Sequence, residues 1–276
     1  MNKKTITIIG CGNMGTIILR ALKESGLYNI RAVEKDEARR REIDQKYDVQ
    51  ASACLEKSES SDVYILAVKP GDVAGVARRL AEKSGSSAKD ILIISLAAGI
   101  KAEEIKGFFN KEAVSVIRVM PNTPALVAQG MSALQSDTGA SKENIELAEN
   151  IFSLMGEVVL IEGDKFDAVT ALSGSGPAYF FYIAEIMSAY AQSAGFSEKQ
   201  ADIIAFQTML GAATLMKKEH EKDGKSFTRL KKEVTSPGGT TEAAVKSMEK
   251  NNLGGIFKKA LDAALSRSKE ISEGDK

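Results

Sequence analysis

Three glycines near the N-terminus restrict the fold of this chain more than any other sequence feature. Gly10, Gly12 and Gly15 form a G-x-G-x-x-G pattern that follows the β-branched run Thr5–Ile9 and opens an amphipathic helical pattern. In such a strand–turn–helix segment the first glycine permits the tight turn. The second lets the backbone approach a pyrophosphate, and the third lets helix and strand pack closely. The pattern predicts a dinucleotide site, with a cluster of helix-capping glycines as the alternative.

An acidic residue ends the second apolar run. Glu34 lies about 20 residues beyond the last glycine, where a carboxylate accepts hydrogen bonds from the ribose hydroxyls of an adenosine. A carboxylate favours the free 2′-hydroxyl of NADH and repels the 2′-phosphate of NADPH. Lys35, Arg39 and Arg40 are close in sequence and would bind that phosphate if Glu34 turned away. We expect an NADH preference, with NADPH still used.

Apolar runs and helical patterns alternate through the first half of the chain. The runs are continuous, which is typical of strands that are buried on both faces of a parallel sheet. After residue 162 the strand signals stop and the remaining patterns are helical. The sequence predicts an α/β protein, with an N-terminal Rossmann-type parallel sheet domain over residues 1–162. An all-helical domain follows over residues 163–276. Its expected roles, substrate binding and dimerisation, are implied by the motif resemblance given below.

Composition argues against several classes of function. Lys plus Arg and Asp plus Glu both number 37, so nothing favours a nucleic-acid partner or an anionic membrane. No apolar stretch approaches the roughly 20 residues of a membrane span. Cys11 and Cys54 are too few for a disulfide framework and indicate a cytoplasmic protein. The single histidine, His220, lies in a polar stretch, residues 217–225, that we expect to be an exposed loop. No metal-ligand pattern is present, so we expect neither a metal nor a histidine base.

A second restricted segment, residues 234–242, lies near the C-terminus. Pro237 fixes one backbone dihedral, and the two glycines after it permit conformations closed to other residues. The two threonines that follow begin an apolar-periodic helix. A helix N-terminus offers unpaired N–H groups that suit a small carboxylate, although an ordinary turn with an N-cap is the alternative. Hydride transfer to a protonated imine needs no histidine base, and the Thr241 hydroxyl is suited to meet the imine nitrogen.

The helical half carries an excess of apolar residues. Residues 179–186 are hydrophobic on most sides of a helix that a domain this small has little room to bury. We therefore expect a subunit interface there, with plain core packing as the alternative.

Six motifs, in order, resemble those of the pyrroline-5-carboxylate reductase family and span nearly the whole chain. They are IGCGNMG at residues 9–15, AVKP at 67–70, SLAAG at 95–99, RVMPNTP at 118–124, LSGSGPAY at 172–179 and SPGGTT at 236–241. The resemblance implies reduction of 1-pyrroline-5-carboxylate, a cyclic imino acid, to L-proline by NADH or NADPH. It also implies a homodimer or a higher ring, with a decamer possible.

The resemblance assigns roles to individual residues. Thr241 meets the substrate's ring nitrogen as the catalytic residue, and four neighbours join it in binding the substrate: Ser236, Gly238, Gly239 and Thr240. The implied cofactor-binding residues lie in the glycine loop and after the following strands. They are Gly10, Cys11, Gly12, Asn13, Met14, Glu34, Lys35, Ala67, Val68, Lys69, Pro70, Leu96, Ala97, Ala98 and Asn122.

The chain also departs from the family pattern. Cys54 stands where relatives often carry asparagine near the adenosine ribose, and Lys232 replaces a common acidic residue. Glu219 and Glu221 both match a family glutamate near the proline site.

Two rival functions remain. A β-hydroxyacid dehydrogenase carries a catalytic lysine on the long helix after the inter-domain link, and residues 178–194 contain none. A paralogue that binds dinucleotide without turnover is the other alternative.

Overall fold

Eight strands form one mixed, largely parallel sheet. The computed structural model describes residues 3–85, 91–109, 114–137 and 139–273. The strands are β1 (Thr5–Ile9), β2 (Asn29–Val33), β3 (Ala51–Ser52), β4 (Val63–Leu66), β5 (Ile91–Ser95), β6 (Val114–Met120), β7 (Gly130–Ser136) and β8 (Gly156–Leu160). Their order is β3-β2-β1-β4-β5-β6-β7-β8, and among these described strands β6 and β7 form the antiparallel pair.

In the part of the chain that the structure describes, helices follow most of the strands, and all elements after β8 are helical. The first six are α1 (Asn13–Ser25), α2 (Glu37–Tyr47), α3 (Pro70–Ser84), α4 (Ala102–Lys106), α5 (Lys142–Ser153) and α6 (Phe166–Val169). The last five are α7 (Gly176–Ser193), α8 (Glu198–Asp223), α9 (Phe227–Glu233), α10 (Thr240–Lys250) and α11 (Leu253–Glu273). Short 3₁₀ segments cover Leu55–Lys57 and Thr123–Val127, and a π-helical turn covers Thr170–Gly174.

The central strands are buried on both faces, as the continuous apolar runs predict. All residues of β4, β5 and β6 are buried. Successive side chains alternate between the faces, so Val63 and Ile65 join one apolar core whereas Tyr64 and Leu66 join the other. The expected fold class is confirmed.

The chain separates into two compact units. One comprises residues 1–175 together with 264–276, and the other comprises residues 176–263. The second unit is helical, with α7 packed on α8. Its few buried positions are small, such as Ala201 and Ala205, and a Ser188–Asp202 hydrogen bond of 2.6 Å joins the two helices.

One local expectation is wrong. Residues 217–225 do not form a loop, because α8 continues to Asp223 and ends at Gly224, whose φ of 62° is left-handed. The charges that suggested a loop instead pair along the helix, as Lys217 does with Glu221 at 3.5 Å. His220 is exposed near the end of this helix.

Candidate functional site

A cavity of about 590 Å³ opens at the carboxyl ends of the central strands. The register pairs Ile9 with both Val33 and Leu66, which brings the ends of β1, β2 and β4 to one edge. The strand order reverses between β1 and β4, and such a switch point is where open α/β sheets bind their ligands. The volume is in the range of cofactor pockets.

The glycine loop forms one wall of this cavity and tolerates side chains at neither end. A Cβ at Gly10, where φ is 89°, would lie 2.9 Å from the Ala67 carbonyl oxygen. A Cβ at Gly15 would lie 2.1 Å from the Gly10 carbonyl oxygen. The expected turn role of Gly10 and packing role of Gly15 are therefore met.

Gly12 differs because it faces open space. A Cβ there would meet Arg39 Nη1 at 3.9 Å and nothing nearer. Gly12 is also the N-cap of α1, whose first turn has no capping side chain and no acidic residue. The N–H groups of that turn, with the positive end of the helix dipole, suit a pyrophosphate. The cradle fits a dinucleotide, and the Gly12–phosphate contact stays a prediction.

Glu34 is buried and held by the backbone. Its two carboxylate oxygens accept the N–H of Cys11 at 2.8 Å and the N–H of Asp36 at 2.9 Å. Only 6% of the residue is exposed, although it lines the cavity. The carboxylate thus links the glycine loop to the end of β2.

Cys11 is an inert thiol in this setting. Burial, and secondarily the charge of Glu34, raises the pKa of Cys11 to about 12. The side chain stays protonated at physiological pH and packs in the core beneath the loop. Cys11 therefore offers a cofactor no thiolate, and its expected cofactor contact stays a prediction.

Basic side chains surround the outer part of the cavity. Lys35, Arg39 and Arg79 line it and are exposed, and Lys35 Nζ lies 3.9 Å from Asp72 Oδ2. Arg40 does not join them. Its Nη1 donates to the carbonyl oxygens of Glu34 and Lys35 at 2.8 and 2.7 Å, so it stabilises the β2–α2 connection instead.

Seven of the expected cofactor residues line the cavity. They are Gly10, Gly12, Glu34, Lys35, Ala67, Val68 and Lys69. The others lie outside its lining: Cys11, Asn13, Met14, Pro70, Leu96, Ala97, Ala98 and Asn122. Pro70 is the first residue of α3, whereas the three residues from Leu96 follow β5 one strand further along the sheet edge.

Asn122 has a structural role that its sequence context does not reveal. Its Oδ1 accepts the N–H of Met131 at 2.8 Å, and its Nδ2 donates to the Ser173 carbonyl oxygen at 3.2 Å. The side chain thereby ties the 3₁₀ segment after β6 to β7 and to the π-helical turn. Its expected cofactor contact stays a prediction.

The cavity lining includes residues that sequence reasoning missed. Gly71, Asp72, Gly75, Val76 and Arg79 form one face of α3. Residues spaced three or four apart lie on one helix face, and two glycines on that face indicate that a ligand can approach the helix closely. The sequence therefore contains a pattern that could have predicted this face. The other missed residues are Ile9, Val33, Ala53 and Leu55. Cys54, noted above as a departure from the family, also lines the cavity.

The expected substrate turn lies between α9 and α10, within the second compact unit. Gly238 has a φ of 73°, and its N–H donates to Glu242 Oε2 at 2.9 Å. The Gly239 N–H donates to the Ser236 carbonyl oxygen at 3.0 Å. Both glycine donors are thus engaged within the turn, and the expected substrate contacts of Gly238 and Gly239 stay predictions. The first-turn N–H groups at Thr240 and Thr241 precede the first i→i−4 bond of α10, from Ala243 to Gly239.

The two glutamates near the end of α8 differ in environment. Glu219 Oε2 lies 2.6 Å from Lys225 Nζ, and this hydrogen bond holds the pKa of Glu219 below its ordinary value. Lys225 also pairs with Glu233 at 3.1 Å, which connects the end of α8 to the end of α9. Glu221 pairs with Lys217 along its own helix.

Neither a metal cluster nor a membrane span is found in the described part of the chain. No group of three or more His, Cys, Asp or Glu side chains there could hold a metal ion. No described helix is both long and apolar enough to cross a bilayer.

Comparison with known proteins places this geometry in a family. Residues 163–271 match a family model for pyrroline-5-carboxylate reductase dimerisation, and residues 5–99 match one for NADP oxidoreductase, coenzyme F420-dependent. A pyrroline-5-carboxylate reductase of Arabidopsis thaliana is 36% identical over 97% of this chain and 95% of its own length. The chain belongs to the pyrroline-5-carboxylate reductase family.

Other members of the pyrroline-5-carboxylate reductase family agree over the same extent. A relative from Pseudomonas aeruginosa is 34% identical over 99% of this chain and 98% of its own. The solved pyrroline-5-carboxylate reductase of Coxiella burnetii superposes with a TM-score of 0.89, at 35% identity over 98% of this chain and 99% of its own. The resemblance inferred from the six motifs is confirmed.

Proposed function

We propose that this protein reduces 1-pyrroline-5-carboxylate to L-proline with NADH or NADPH, the last step of proline biosynthesis. The observation that carries the proposal is the dinucleotide-fitting cavity at the switch point of β1 and β4, in a chain of this family. The turn before α10 adds a carboxylate-sized site of backbone donors.

In this proposal the turn before α10 binds the substrate carboxylate. The Ser236 hydroxyl and the N–H groups of Thr240 and Thr241 donate to it, at the positive end of the α10 dipole. Gly238 and Gly239 border the substrate without side chains, so the carboxylate can approach the backbone closely.

Thr241 is proposed as the catalytic residue. A nicotinamide cofactor held in the cavity would supply a hydride to the carbon of the protonated C=N bond. The Thr241 hydroxyl oxygen accepts a hydrogen bond from the N–H of that ring nitrogen and orients the imine. The electron pair of the C=N π bond moves to nitrogen, which becomes the neutral amine and later takes a proton from water.

We propose different functions for the two halves of the chain. Residues 1–162 bind the dinucleotide, and residues 163–276 bind substrate and self-associate, a boundary that coincides with the start of the matched dimerisation region at residue 163. The helical unit exposes large apolar side chains on α7, α8 and α11. They include Phe180, Phe181, Tyr182, Tyr190, Phe206, Leu210 and Ile256, each at least half exposed in the single chain.

So much exposed apolar surface is characteristic of an interface. We propose a homodimer that can assemble further into a ring, a decamer being one possibility. The two free cysteines suit a reducing compartment, and we propose that the protein acts in the cytoplasm.

Cofactor oxidation with pyrroline-5-carboxylate, measured in parallel with NADH and NADPH, tests the activity. Thr241→Ala should lower kcat about 100-fold, the usual cost of removing one preorganised hydrogen-bonding group at a reacting atom, and leave cofactor affinity unchanged. Thr241→Ser, which keeps the hydroxyl, should retain most of the rate. Thr214→Ala is the matched control, since the Thr214 hydroxyl bonds only within α8, to the Leu210 carbonyl oxygen at 2.8 Å.

The result also separates the rivals. A wild-type protein that binds dinucleotide without reducing the imine would be the non-catalytic paralogue. A dehydrogenase of β-hydroxyacids would need a lysine that α7 does not contain. Wild-type turnover in Thr241→Ala would refute the assigned role of Thr241.

A further inference from the structure

The last turns of α11 belong to the nucleotide-binding unit, where they contact α6 and the loop after β5. Residues 264–276 cluster with residues 1–175, whereas the first half of α11 clusters with the helical unit. Ser268 Oγ donates to Asp167 Oδ1 at 2.7 Å, a long-range contact. Ser272 Oγ lies 3.0 Å from the same Asp167 oxygen and 3.0 Å from the Ser268 carbonyl oxygen, so its single hydrogen is shared between a long-range acceptor and one within α11. Ser268 is 5% exposed, so its hydrogen bond is shielded from water.

The residue that precedes Asp167 is firmly held. Asp167 lies in α6 directly after Phe166, which is 3% exposed. The Arg118 guanidinium stacks over the Phe166 ring, 3.7 Å from its centre. Arg118 also donates from Nη1 to Gln135 Oε1 at 2.9 Å, which anchors this cluster to β6 and β7. Asp167 therefore follows a residue that is anchored to the sheet, and its carboxylate offers the serines an acceptor.

The same two turns of α11 press on the loop that follows β5. A Cβ at Gly99 would lie 2.9 Å from both Cγ2 and the carbonyl oxygen of Ile271. Gly99 has a φ of 79°, a conformation that favours glycine, so both the space and the backbone there exclude a side chain. The end of α11 thus covers Gly99 directly.

That loop lies beside the cofactor cavity in the sheet. The Leu96 N–H donates to the Leu66 carbonyl oxygen at 3.0 Å, and the next residue after Leu66, Ala67, lines the cavity. Leu96, Ala97 and Ala98 continue the carboxyl edge one strand beyond the switch point, where the rest of an extended dinucleotide would run.

We propose that Asp167, Ser268 and Ser272 are positioning residues for the cofactor, because they hold the end of α11 against Gly99 and so set the conformation of residues 96–99. The proposal rests on the dinucleotide binding proposed above. It adds residues from the far C-terminus to the cofactor site, although none of the three lines the cavity.

The double variant Ser268→Ala/Ser272→Ala, in the full-length protein, tests this proposal without substrate. The dissociation constants for NADH and NADPH are measured from nicotinamide fluorescence, which no tryptophan of the chain disturbs. We expect both to rise roughly three- to tenfold, the factor that follows if about one hydrogen bond's net stabilisation is lost at the site. Hydrogen exchange of the amides of residues 96–100 should accelerate in parallel.

Controls separate positioning from general stability. Ser272→Thr keeps the hydroxyl and should retain wild-type affinity for both cofactors. Thr214→Ala should also leave cofactor affinity unchanged. A lower Tm with unchanged cofactor affinity would overturn the proposal and leave the serines merely structural. If the double variant does not fold, Ser272→Ala alone decides by the same two measurements. Since binding is measured without substrate, a protein that binds NADH but does not reduce the imine would refute the proposed activity and leave this test intact.

Discussion

Replacement of Glu34 should shift the preference between NADH and NADPH. In the structure the carboxylate cannot readily turn away from the cavity, because the N–H groups of Cys11 and Asp36 hold its two oxygens at 2.8 and 2.9 Å. The remaining lone pairs of such an acceptor suit the ribose hydroxyls of NADH. NADPH has no 2′-hydroxyl to donate, and its 2′-phosphate carries a negative charge that the Glu34 carboxylate repels.

The magnitude follows from one charge-assisted hydrogen bond. Such a bond contributes about 1.5–3 kcal/mol, and each 1.4 kcal/mol is a factor of about ten. Loss of the 2′-hydroxyl bond alone would favour NADH roughly 10- to 150-fold in kcat/KM. Lys35, Arg39 and Arg79 oppose this by attracting the phosphate. They are exposed, so each contact is worth about 0–1 kcal/mol. The three contacts together contribute at most about 3 kcal/mol. Because repulsion between the Glu34 carboxylate and the 2′-phosphate adds to the lost hydrogen bond, we expect a net preference for NADH, with NADPH still used.

The assay compares kcat/KM for the two cofactors in the wild type, Glu34→Ser and Glu34→Gln. Glu34→Ser should move the ratio toward NADPH by at least tenfold. It should also lower the free energy of unfolding by about 1–3 kcal/mol for each buried N–H left unpaired. Glu34→Gln keeps the shape without the charge and should show a smaller shift in both quantities. Glu37→Gln, at an exposed glutamate of α2, is the matched control.

The opposite result would refute this reasoning. If the unmodified protein has the higher kcat/KM with NADPH, the exposed basic residues outweigh the buried carboxylate. The role of Glu34 would then be limited to holding the glycine loop.

Three further outcomes follow from the same geometry. Gly239→Ala should raise KM for the imino acid several-fold. The added Cβ would lie 3.1 Å from the Ser236 carbonyl oxygen, which disturbs the turn, and it would also obstruct the approach of the substrate. An unchanged KM would show that the turn is purely structural. Light scattering at micromolar concentration should show at least a dimer, and a stable monomer would contradict the interface proposed for the helical unit. At pH 8, iodoacetamide should label Cys54 and spare Cys11, because burial raises the pKa of Cys11 to about 12. Mass spectrometry measures the labelling at both sites, and equal labelling would contradict the burial of Cys11.

Much of the nucleotide-binding unit could be predicted because its signals are local. The continuous apolar runs belong to strands with both faces covered. Gly10 and Gly15 meet steric limits set within a few residues or by the neighbouring turn at Ala67. The two-residue strand β3 gives no sequence signal, because Ala51–Ser52 is too short for any period to show. The helix α9 gives no apolar periodicity either, because none of its seven residues is buried.

The direction of side chains could not be read in the same way. Nothing near Asn122 in the sequence shows that its amide joins Met131 to Ser173, since both partners come from other elements. The charged end of α8 was misjudged for a related reason. Propensity and charge suggested solvent and hence a loop, whereas exposed lysine–glutamate pairs stabilise an exposed helix equally well.

The cofactor site and the substrate turn differ in whether a single chain can hold their geometry without a partner subunit. The glycine loop, the N-terminus of α1 and the buried Glu34 are preorganised by contacts inside one compact unit, so they need no partner to acquire their geometry. The turn before α10 belongs to a unit whose helices expose aromatic side chains that a folded monomer would leave in water. Because burial of those side chains would stabilise the helices that hold the turn, dilution below the dimer dissociation constant should weaken substrate binding before it weakens cofactor binding. Titrations of both ligands across a dilution series would show this order, and simultaneous loss of the two affinities would place the cofactor cavity, too, under the control of self-association.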